Sequence, residues 1–409
     1  MLWSFLRKRF PSLSNIPPER VAEEAHPPRH TRTNVTLARK DQRPRLFDYQ
    51  RDLADGALAL LEARGRALLS LPTGAGKTRT AVTAILDALA GNMVSRVIWL
   101  APSIELLDQA WDTFVDCWNA HGSCPDLRLS RVLGSKGPSI TFLTPQAVFA
   151  ASKSGRDLGA FQMVVFDEAH QLGARTFIAS VDALVAASLR AEGKEPALLG
   201  LSATPGRGDD ELETEALVRF FNHNLLVSSK LGINPVLSLQ KSGVLSKLEF
   251  EPLSPMAVTG EGRRLLVAID KCRELAADGS HTLVFSGSVG GAMVLAEVLQ
   301  MEGISSECVH SGLEDSVRRR ILGDFGAGKI RVLTNQRLLA TGYDCPAISD
   351  VLILSQVTSP TLFEQIVGRA ARGPVTGGWE SARIWQFDDH LKLHGLPQSY
   401  YRYQMYDWR

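Results

Sequence analysis

Cysteine is scarce in this sequence, and the few cysteines present are far apart. There are only five in 409 residues, and no two of them have the Cys-x-x-Cys spacing typical of zinc and iron–sulfur sites. This scarcity argues against a disulfide-stabilised secreted protein and indicates free thiols in a reducing compartment. The five residues are Cys117, Cys124, Cys272, Cys308 and Cys345.

Long hydrophobic runs are also lacking. No stretch approaches the roughly 18 consecutive apolar residues that a membrane-spanning helix requires. The segment Met1–Arg9 places its basic residues after a short apolar stretch, which is the opposite order to that of a secretory signal. We therefore expect a soluble, intracellular, cytoplasmic protein with no signal peptide and no membrane partner.

A strong net charge is the third absence. The formal net charge is +1 at pH 7, so the total charge does not indicate a nucleic-acid-binding protein. The charge is unevenly distributed, however, because residues 1–45 hold ten Lys or Arg against four Asp or Glu. Two interpretations of this basic arm stay open: a solvated terminal segment, or an arm that contacts phosphate or a protein partner.

Short apolar runs alternate with amphipathic segments from residue 46 onward. Continuous apolar runs are typical of strands buried on both faces of a parallel sheet, and their alternation with helices predicts an α/β fold. The predicted strands are Ala67–Leu71, Arg96–Ala101, Ile140–Leu143, Met163–Phe166 and Leu198–Leu201, then Thr282–Phe285, Glu307–His310, Arg331–Leu333, Val351–Leu354 and Arg383–Phe387. The predicted helices include Glu105–Trp118, Phe177–Leu189, Gly290–Met301 and Asp315–Phe325. Because the pattern stops and restarts, we predict two domains, each a mostly parallel sheet covered by helices on both faces.

Composition places the expected domain boundaries. The predicted segments are the basic arm (1–45), a first domain (46–221), a connection (222–262), a second domain (263–395) and an aromatic tail (396–409). The connection is rich in Pro, Gly, Ser and Asn and lacks a helical period, so we expect an irregular segment with some strand content. For the tail we leave open packing on the second domain, an interface, or a base-stacking surface.

A glycine-containing loop, Leu71–Thr78, lies between a predicted strand and a predicted helix. Such a loop directs backbone N–H groups at phosphate, at the positive end of a helix dipole. The loop residues Thr73, Gly74, Ala75 and Gly76 would surround the phosphates, Lys77 would reach the β- and γ-phosphates, and Thr78 would bind Mg²⁺. Leu71 occupies the position at which the full phosphate-loop pattern has glycine.

Two carboxylates follow the apolar run Met163–Phe166. Ligands bind at the carboxyl ends of strands in an open parallel sheet, so Asp167 is expected to face Lys77 and Thr78 and to hold Mg²⁺ with Thr78. Glu168 is then placed to orient and deprotonate an attacking water. A phosphate loop, a metal ligand and a general base together predict phosphoryl transfer from ATP.

With these two sites, the sequence resembles the superfamily 2 helicases and translocases, with the Asp-Glu-Ala-His (DEAH box) form of motif II. The resemblance covers roughly residues 45–390, and the motifs occur in the order found in the family. The matching segments are Pro72–Thr78 (motif I), Ala101–Ser103 with Leu106–Gln109 (Ia), Thr144–Gln146, Asp167–His170 (II), Ser202–Thr204 (III), Val284–Ser286 (IV), Ala340–Asp344 (V) and Gln365–Arg372 (VI). Leu46–Gln50 resembles the adenine-contacting segment of the family.

The resemblance implies two RecA-like domains, ATP and Mg²⁺ as cofactors, and roles for individual residues. It implies that Arg369 and Arg372, at positions i and i+3 of a helix, are arginine fingers that act on the phosphates. The implied catalytic residues are Lys77, Asp167, Glu168, Arg369 and Arg372. The implied nucleotide contacts outside the loop are Gln50, Gly342 and Asp344. The implied coupling residues are His170, Ser202, Thr204 and Gln365, and the implied nucleic-acid contacts are Pro102, Ser103, Thr144, Gln146, Ser286 and Thr341.

The type of nucleic acid is inferred from departures within the motifs. Pro102–Leu106 and Gln365–Arg369 differ from the motifs of DEAD-type RNA helicases, whereas Ser202–Arg207 and Thr341–Pro346 resemble the branch with restriction-enzyme motor subunits and XPB-like excision-repair helicases. We therefore expect an ATP-dependent helicase or translocase that acts on DNA, with other subunits of a DNA-processing complex as further partners. The alternative is an ATP-gated DNA clamp or assembly switch that does not separate strands.

Overall fold

The computed structural model describes residues 46–121, 126–134, 137–171, 175–206, 211–254, 258–387 and 408, and the backbone of 34–37. These residues form two compact units. Of the described residues, the first unit contains those from 34 to 242, the short segment 359–364 and residue 408, and the second contains those from 243 to 358 and from 365 to 387.

Within these ranges, the first unit is built on an eight-stranded sheet. The strand order is β1-β4-β5-β3-β6-β7-β2-β8, and every pair is parallel except β1 with β4. The strands are β1 (Asn34–Leu37), β2 (Arg66–Ser70), β3 (Arg96–Leu100), β4 (Leu127–Ser130), β5 (Ser139–Leu143), β6 (Met163–Phe166), β7 (Ala197–Ser202) and β8 (Leu225–Leu226).

The helices of the first unit alternate with these strands. They are α1 (Asp48–Glu62), α2 (Lys77–Ala90), α3 (Ile104–Ala120), α4 (Pro145–Lys153), α5 (Arg175–Glu192), α6 (Glu211–Phe220) and α7 (Pro235–Lys241). Two of them begin directly after a strand end because a hydroxyl caps them: Ser103 accepts from Leu106 N, and Thr144 accepts from Ala147 N. Helices therefore begin at the carboxyl edge of the sheet, where the motif residues lie.

Among the residues that the structure describes, the second unit is built on a six-stranded parallel sheet. The order is β11-β12-β10-β13-β14-β9. The strands are β9 (Lys247–Pro252), β10 (Thr282–Phe285), β11 (Ser306–Cys308), β12 (Val332–Asn335), β13 (Asp350–Ile353) and β14 (Ser381–Gln386). The helices of this unit are α8 (Glu261–Ala277), α9 (Val289–Met301) and α10 (Asp315–Gly326). Helix α11 (Pro360–Val367) begins in the segment 359–364 that groups with the first unit, and it leads into motif VI.

The central strands of both sheets are buried on both faces. All residues of β6, β10 and β13 are buried, which explains why these strands are mostly apolar, with Thr282 and Asp350 as the polar exceptions. In the first unit, Trp99 on β3 meets Phe114 of α3 edge to face, and Phe114 meets Phe142 of β5 in the same way. The expected architecture of two helix-covered parallel sheets is confirmed.

Two segments have more regular structure than the sequence indicates. Residues 222–262, expected to be an irregular connection, contain α7 and β9, and β9 is an edge strand of the second sheet. The backbone of 34–37, inside the basic arm, forms β1 and pairs with β4. The domain boundaries themselves stay predictions, and the rest of the arm and the tail, apart from Trp408, lies outside the described residues.

None of the helices in the described ranges combines the length and the hydropathy of a membrane span.

Candidate functional site

The phosphate loop joins β2 to α2 through two glycines with left-handed backbone. Gly74 has φ of +91° and Gly76 has φ of +84°, and Gly76 directly precedes the first residue of α2, Lys77. Glycine adopts these angles without the steric cost that other residues incur. The loop therefore places the N-terminus of a 14-residue helix at the carboxyl edge of the sheet, as the sequence predicts.

Two side chains of α1 form hydrogen bonds with the backbone of this loop. The Gln50 amide donates to Ala75 O at 3.1 Å, and the Tyr49 hydroxyl donates to the same oxygen at 2.9 Å. The Gln50 side-chain oxygen accepts from Phe47 N at 3.1 Å. A Cβ at Gly76 would lie 2.4 Å from the Gln50 amide nitrogen, so a side chain there would displace Gln50 in addition to straining the left-handed backbone. Gln50, expected to contact adenine, thus also supports the loop, and Tyr49 is a support that the sequence interpretation missed.

Asp167 and Glu168 lie at the end of β6, which neighbours β3 in the sheet. Both are buried, and Asp167 N donates to Leu100 O at 2.8 Å. Glu168 has φ of +51°, an unfavourable backbone conformation for a residue other than glycine, and its N–H donates to Asp167 Oδ1 at 3.1 Å. The different roles expected for these two adjacent carboxylates stay predictions.

The electrostatics of Asp167 fit a bound cation. Burial, and then the neighbouring Glu168 carboxylate, raise the pKa of Asp167 to about 7, against the lowering effect of Lys77. A buried carboxylate with a raised pKa is stabilised in its ionised form by a nearby cation. Together with the half-buried Thr78 hydroxyl, it supplies the oxygen ligands that Mg²⁺ prefers. The residues present therefore fit a magnesium site.

A chain of hydrogen bonds connects motif II to motif III. His170 Nδ1 lies 3.2 Å from Ser202 Oγ and 3.4 Å from Glu168 Oε2. Ser202 Oγ donates to Thr204 O at 2.6 Å and accepts from Thr204 N at 3.1 Å. Because the single hydroxyl proton of Ser202 is directed at Thr204 O, the geometry favours the proton of His170 on Nδ1. The predicted coupling residues His170, Ser202 and Thr204 are thus in direct contact.

The predicted nucleic-acid contacts of the first unit lie at the ends of β3 and β5. Ser103 and Thr144 are the capping residues of α3 and α4, Pro102 is half-buried, and Gln146 is exposed in the first turn of α4. Since β3 and β5 are neighbours, the N-termini of these two helices lie at one edge of the sheet. The structure brings these residues to a common edge, and their contact with nucleic acid stays a prediction.

In the second unit, motifs V and VI contact each other. Arg372 pairs with both carboxylate oxygens of Asp344, through Nε at 2.7 Å and Nη2 at 2.6 Å. Arg369 donates through Nε to Gln365 O at 3.1 Å and through Nη1 to Tyr343 O. The turn that carries Asp344 includes Gly342, with φ of +71°. Thr341 is half-buried, and Ser286 and Gln365 are buried.

The expectation that Arg369 and Arg372 occupy positions i and i+3 of one helix is wrong. Helix α11 ends at Val367, residues Gly368–Ala370 form a single 3₁₀ turn, and Arg372 is paired in an antiparallel bridge with Leu245. Gly368 and Gly373 explain this ending, because glycine disfavours helix and the following Pro374 cannot continue one. The two arginines instead meet motif V at two successive residues, Tyr343 and Asp344.

Two family models match the chain. Residues 43–207 match the model described as type III restriction enzyme, res subunit, and residues 265–374 match the helicase conserved C-terminal domain. The two matches contain motifs I to III and motifs IV to VI, respectively.

The chain is also similar to individual proteins. It is 26% identical to the ATP-dependent RNA helicase DBP10 of Gibberella zeae, over 77% of this chain and 38% of that protein. It is 24% identical to the putative ATP-dependent helicase IRC3 of Saccharomyces cerevisiae, over 80% of this chain and 50% of that protein. The chain thus spans half or less of the length of these two relatives. A fragment of a putative HsdR subunit of a type I restriction enzyme from Vibrio vulnificus has a similar fold, with a TM-score of 0.60 at 20% identity, covering 86% of this chain and 65% of that one.

Proposed function

Because the chain belongs to the superfamily 2 helicases related to restriction-enzyme motor subunits, we propose that it is an ATP-dependent DNA helicase or translocase. One observation carries the proposal: Asp167 and Glu168 are two buried carboxylates at the end of β6, the Lys77 charge lowers the pKa of Asp167, and Glu168 lies 3.4 Å from His170, which is hydrogen-bonded to Ser202 of motif III. A site that only bound nucleotide would need the loop and a metal ligand, but neither a second buried carboxylate nor its connection to another motif.

In this proposal the first unit binds and primes ATP. The backbone of Gly74–Gly76 and the Lys77 ammonium hold the phosphates, and Gln50 contacts the adenine. Thr78 and Asp167 would hold Mg²⁺, and the metal would supply positive charge that neutralises the phosphates. Glu168 accepts the proton of the attacking water. His170 and Ser202 transmit the change at Glu168 to Thr204, because His170 Nδ1 lies 3.4 Å from Glu168 Oε2 and hydrogen bonds through Ser202 connect His170 to Thr204.

The second unit supplies cations for the transition state in this proposal. Arg369 and Arg372 neutralise the charge that develops on the transferred phosphoryl group, and Asp344 orients Arg372 and contacts the nucleotide. In other phosphate-cleaving enzymes an arginine finger contributes on the order of 10³–10⁵ in rate. Hydrolysis would remove the group on which the arginines act, so domain closure and opening would follow the nucleotide state.

We propose DNA rather than RNA as the polymer. The match of residues 43–207 to the restriction-enzyme model and the likeness to the HsdR fragment support DNA, as do the departures of motifs Ia and VI from the DEAD type. The name of DBP10 refers to RNA, and a preference for RNA is therefore the contrary outcome of the test. The hydroxyl and backbone groups at Ser103, Thr144, Ser286 and Thr341 would contact phosphates, which gives little base preference.

The test is the rate of ATP hydrolysis measured with single-stranded DNA, duplex DNA, RNA and no polymer, together with displacement of a labelled strand. We expect strong stimulation by DNA and ATP-dependent strand displacement or translocation. Lys77→Ala should abolish turnover because the phosphates lose their cation, whereas Lys194→Ala, an exposed lysine of the same unit, should leave it intact.

Each contrary outcome removes a different part of the proposal. Stimulation by RNA alone would exclude DNA as the polymer. DNA-stimulated hydrolysis without displacement or translocation would exclude a motor and favour an ATP-gated clamp. Normal turnover by the Lys77→Ala variant would exclude the ATP site itself.

A further inference from the structure

A short segment of the second unit, residues 243–247, runs beside the end of motif VI. Leu245 forms an antiparallel bridge with Arg372. Ser246 N donates to Ala371 O at 3.0 Å, Gly373 N donates to Val244 O at 3.0 Å, and Val375 N donates to Gly243 O at 3.1 Å. These bonds join segments that are far apart in the sequence, so they fix the path of the chain on both sides of Arg372.

The Ser246 side chain adds a direct contact to the backbone of Arg372. Ser246 is fully buried, and its hydroxyl is within hydrogen-bonding distance of Arg372 O and, at 2.7 Å, of Trp379 O. Arg372 O also accepts from Trp379 N at 3.0 Å. A hydroxyl has one proton to donate, so Ser246 shares it between two carbonyls that lie on opposite sides of the turn 373–378. The hydroxyl therefore holds the two ends of this turn together.

Two glycines make this close approach possible. A Cβ at Gly373 would lie 2.3 Å from Gly243 O, and a Cβ at Gly378 would lie 1.9 Å from Arg372 O. Neither position has space for a side chain, because the nearest atoms belong to the backbone. The turn after motif VI is thus packed directly against the 243–247 segment. It cannot shift far without breaking the backbone hydrogen bonds between the two segments.

The other end of Arg372 is fixed by Asp344. The bidentate pair orients the guanidinium plane, and the side chain of Arg372 retains 19% exposure. Arg372 is therefore held at its carbonyl by Ser246 and at its guanidinium by motif V. Asp344 belongs to motif V, whereas Ser246 belongs to none of the sequence motifs and lies 126 residues before Arg372.

We infer that Ser246 is a positioning residue for Arg372: its buried hydroxyl sets the backbone from which the arginine acts on the phosphates. This inference rests on the proposed role of Arg372 in ATP hydrolysis. Misplacement of a catalytic group by about 1 Å lowers rates by up to about 100-fold, so removal of the hydroxyl should lower kcat without weakening ATP binding.

The experiment is a double-mutant cycle on the full chain with Ser246→Ala, Arg372→Ala and both together. The readouts are kcat and KM for ATP at saturating DNA. We expect Ser246→Ala to lower kcat by about 10-fold or more with KM unchanged, and to have no further effect when Arg372 is already alanine, because the two residues act as a unit. Ser246→Thr keeps the hydroxyl and should recover part of the kcat that the alanine variant lacks.

Ser306→Ala is the matched control. Ser306 is buried in the same unit, and its hydroxyl donates to Ala296 O at 2.7 Å, away from motif VI. We expect similar decreases of thermal stability for Ser246→Ala and Ser306→Ala, with kcat lowered in the first alone. An additive cycle, an unchanged kcat for Ser246→Ala, or an equal decrease of kcat in the Ser306 control would overturn the inference. If Arg372→Ala itself leaves kcat unchanged, the proposed role of Arg372 fails instead.

Discussion

In the proposed function, Glu168 is needed for ATP hydrolysis and is not needed for ATP binding. It is buried, lies next to Asp167 in a left-handed turn, and contacts His170. We predict that Glu168→Gln, which keeps the shape of the side chain but removes the base, binds ATP normally and hydrolyses it at least about 100-fold more slowly. Fluorescent-nucleotide titration and phosphate release measure the two properties, with Glu62→Gln on the exposed face of α1 as the control. Failure of the Glu168 variant to bind nucleotide would contradict the assigned role.

His281 gives the protein a predictable dependence of stability on pH. Its ring is buried against Phe325, and burial, with a contribution from the Arg331 charge, lowers its pKa from 6.5 to about 4. Between these values the unfolded chain binds a proton that the folded chain excludes, so the free energy of unfolding falls as the pH falls from about 6.5 to 4. The decrease through this residue is at most about 3 kcal/mol.

The variant His281→Phe should remove this part of the pH dependence, since phenylalanine keeps the ring and has no proton to gain. Urea unfolding of both proteins at several pH values from about 4 to 7 measures the slope. An equally steep decrease of stability in the variant would show that other groups cause it.

The location of the motif residues was predictable from the sequence. The residues that hydrogen-bond to the backbone of the motifs were not. Lys77, Asp167 and His170 belong to short contiguous patterns whose spacing reflects a strand, a turn and a helix, so their common location at the sheet edge follows from the sequence. Tyr49 and Ser246 act through backbone carbonyls that are distant in the sequence, at Ala75 and Arg372. Every residue has a backbone carbonyl, so a side chain that bonds to one does not require any particular residue type at the accepting position. Such a contact therefore leaves no recognisable pattern in the sequence.

At the scale of elements, strand β7 has a glycine where the packing leaves no space. A Cβ at Gly200 would lie 2.4 Å from Phe221 and 2.8 Å from Leu68, with Ala169 next to motif II at 2.9 Å. We predict that Gly200→Ala destabilises the first unit by about 1–3 kcal/mol, because the core must move to admit the methyl group. Urea unfolding measures the change. Gly323→Ala, in open space on α10, is the control and should be neutral or stabilising, and an equally stable Gly200→Ala would refute the packing argument.

Near the end of the sequence, Trp408 has a position that the sequence did not indicate. Trp408 donates through Nε1 to Pro205 O at 3.2 Å, directly after motif III, and packs against the core of the first unit. The alternatives for the tail did not include the first unit, because an aromatic residue carries no sequence signal for its packing partner. We predict that Trp408→Ala lowers the stability of the first unit, whereas Trp408→Phe, which keeps the ring contact, lowers it less. Thermal unfolding tests the order, and two equally stable variants would contradict it.

The sequence predicted central strands well and peripheral ones poorly. The strands β6, β10 and β13 are buried throughout because both of their faces are covered. The edge strand β9 alternates half-buried and exposed residues and includes Pro252, so its composition is that of a connection. The end of α11 was missed for a similar reason, since the bridge between Leu245 and Arg372 that replaces the helix is a long-range contact.

At the scale of the whole molecule, the proposed chemistry is divided between residues that are far apart in the sequence. Lys77 and Glu168 belong to one compact unit, and Arg369 and Arg372 to the other. Each unit has its own buried core and its own sheet. In the proposed function, a division of this kind would make the rate of hydrolysis depend on domain movement, which a motor requires and a rigid nucleotide-binding protein does not.

The basic residues near the N-terminus predict a salt-dependent contribution to DNA binding. Residues 1–33 carry six Lys or Arg against three Asp or Glu, and they precede β1, whose pairing with β4 makes residue 34 the sensible limit for a deletion. If the arm binds phosphates, deleting residues 1–33 should weaken DNA binding and reduce the slope of log K against log salt by about 0.7–0.9 for each phosphate that the arm neutralises. Polymer-free ATP hydrolysis should be unchanged, because the ATP-site residues all follow the deletion.

Titrations at several salt concentrations measure this slope, and a second variant with the six basic residues replaced by Gln separates the effect of charge from that of length. The deletion and the Gln variant should give the same reduced slope if charge alone is responsible. An unchanged slope in both variants would leave the arm with no role in DNA binding, since binding to phosphates is the part of the affinity that salt weakens most.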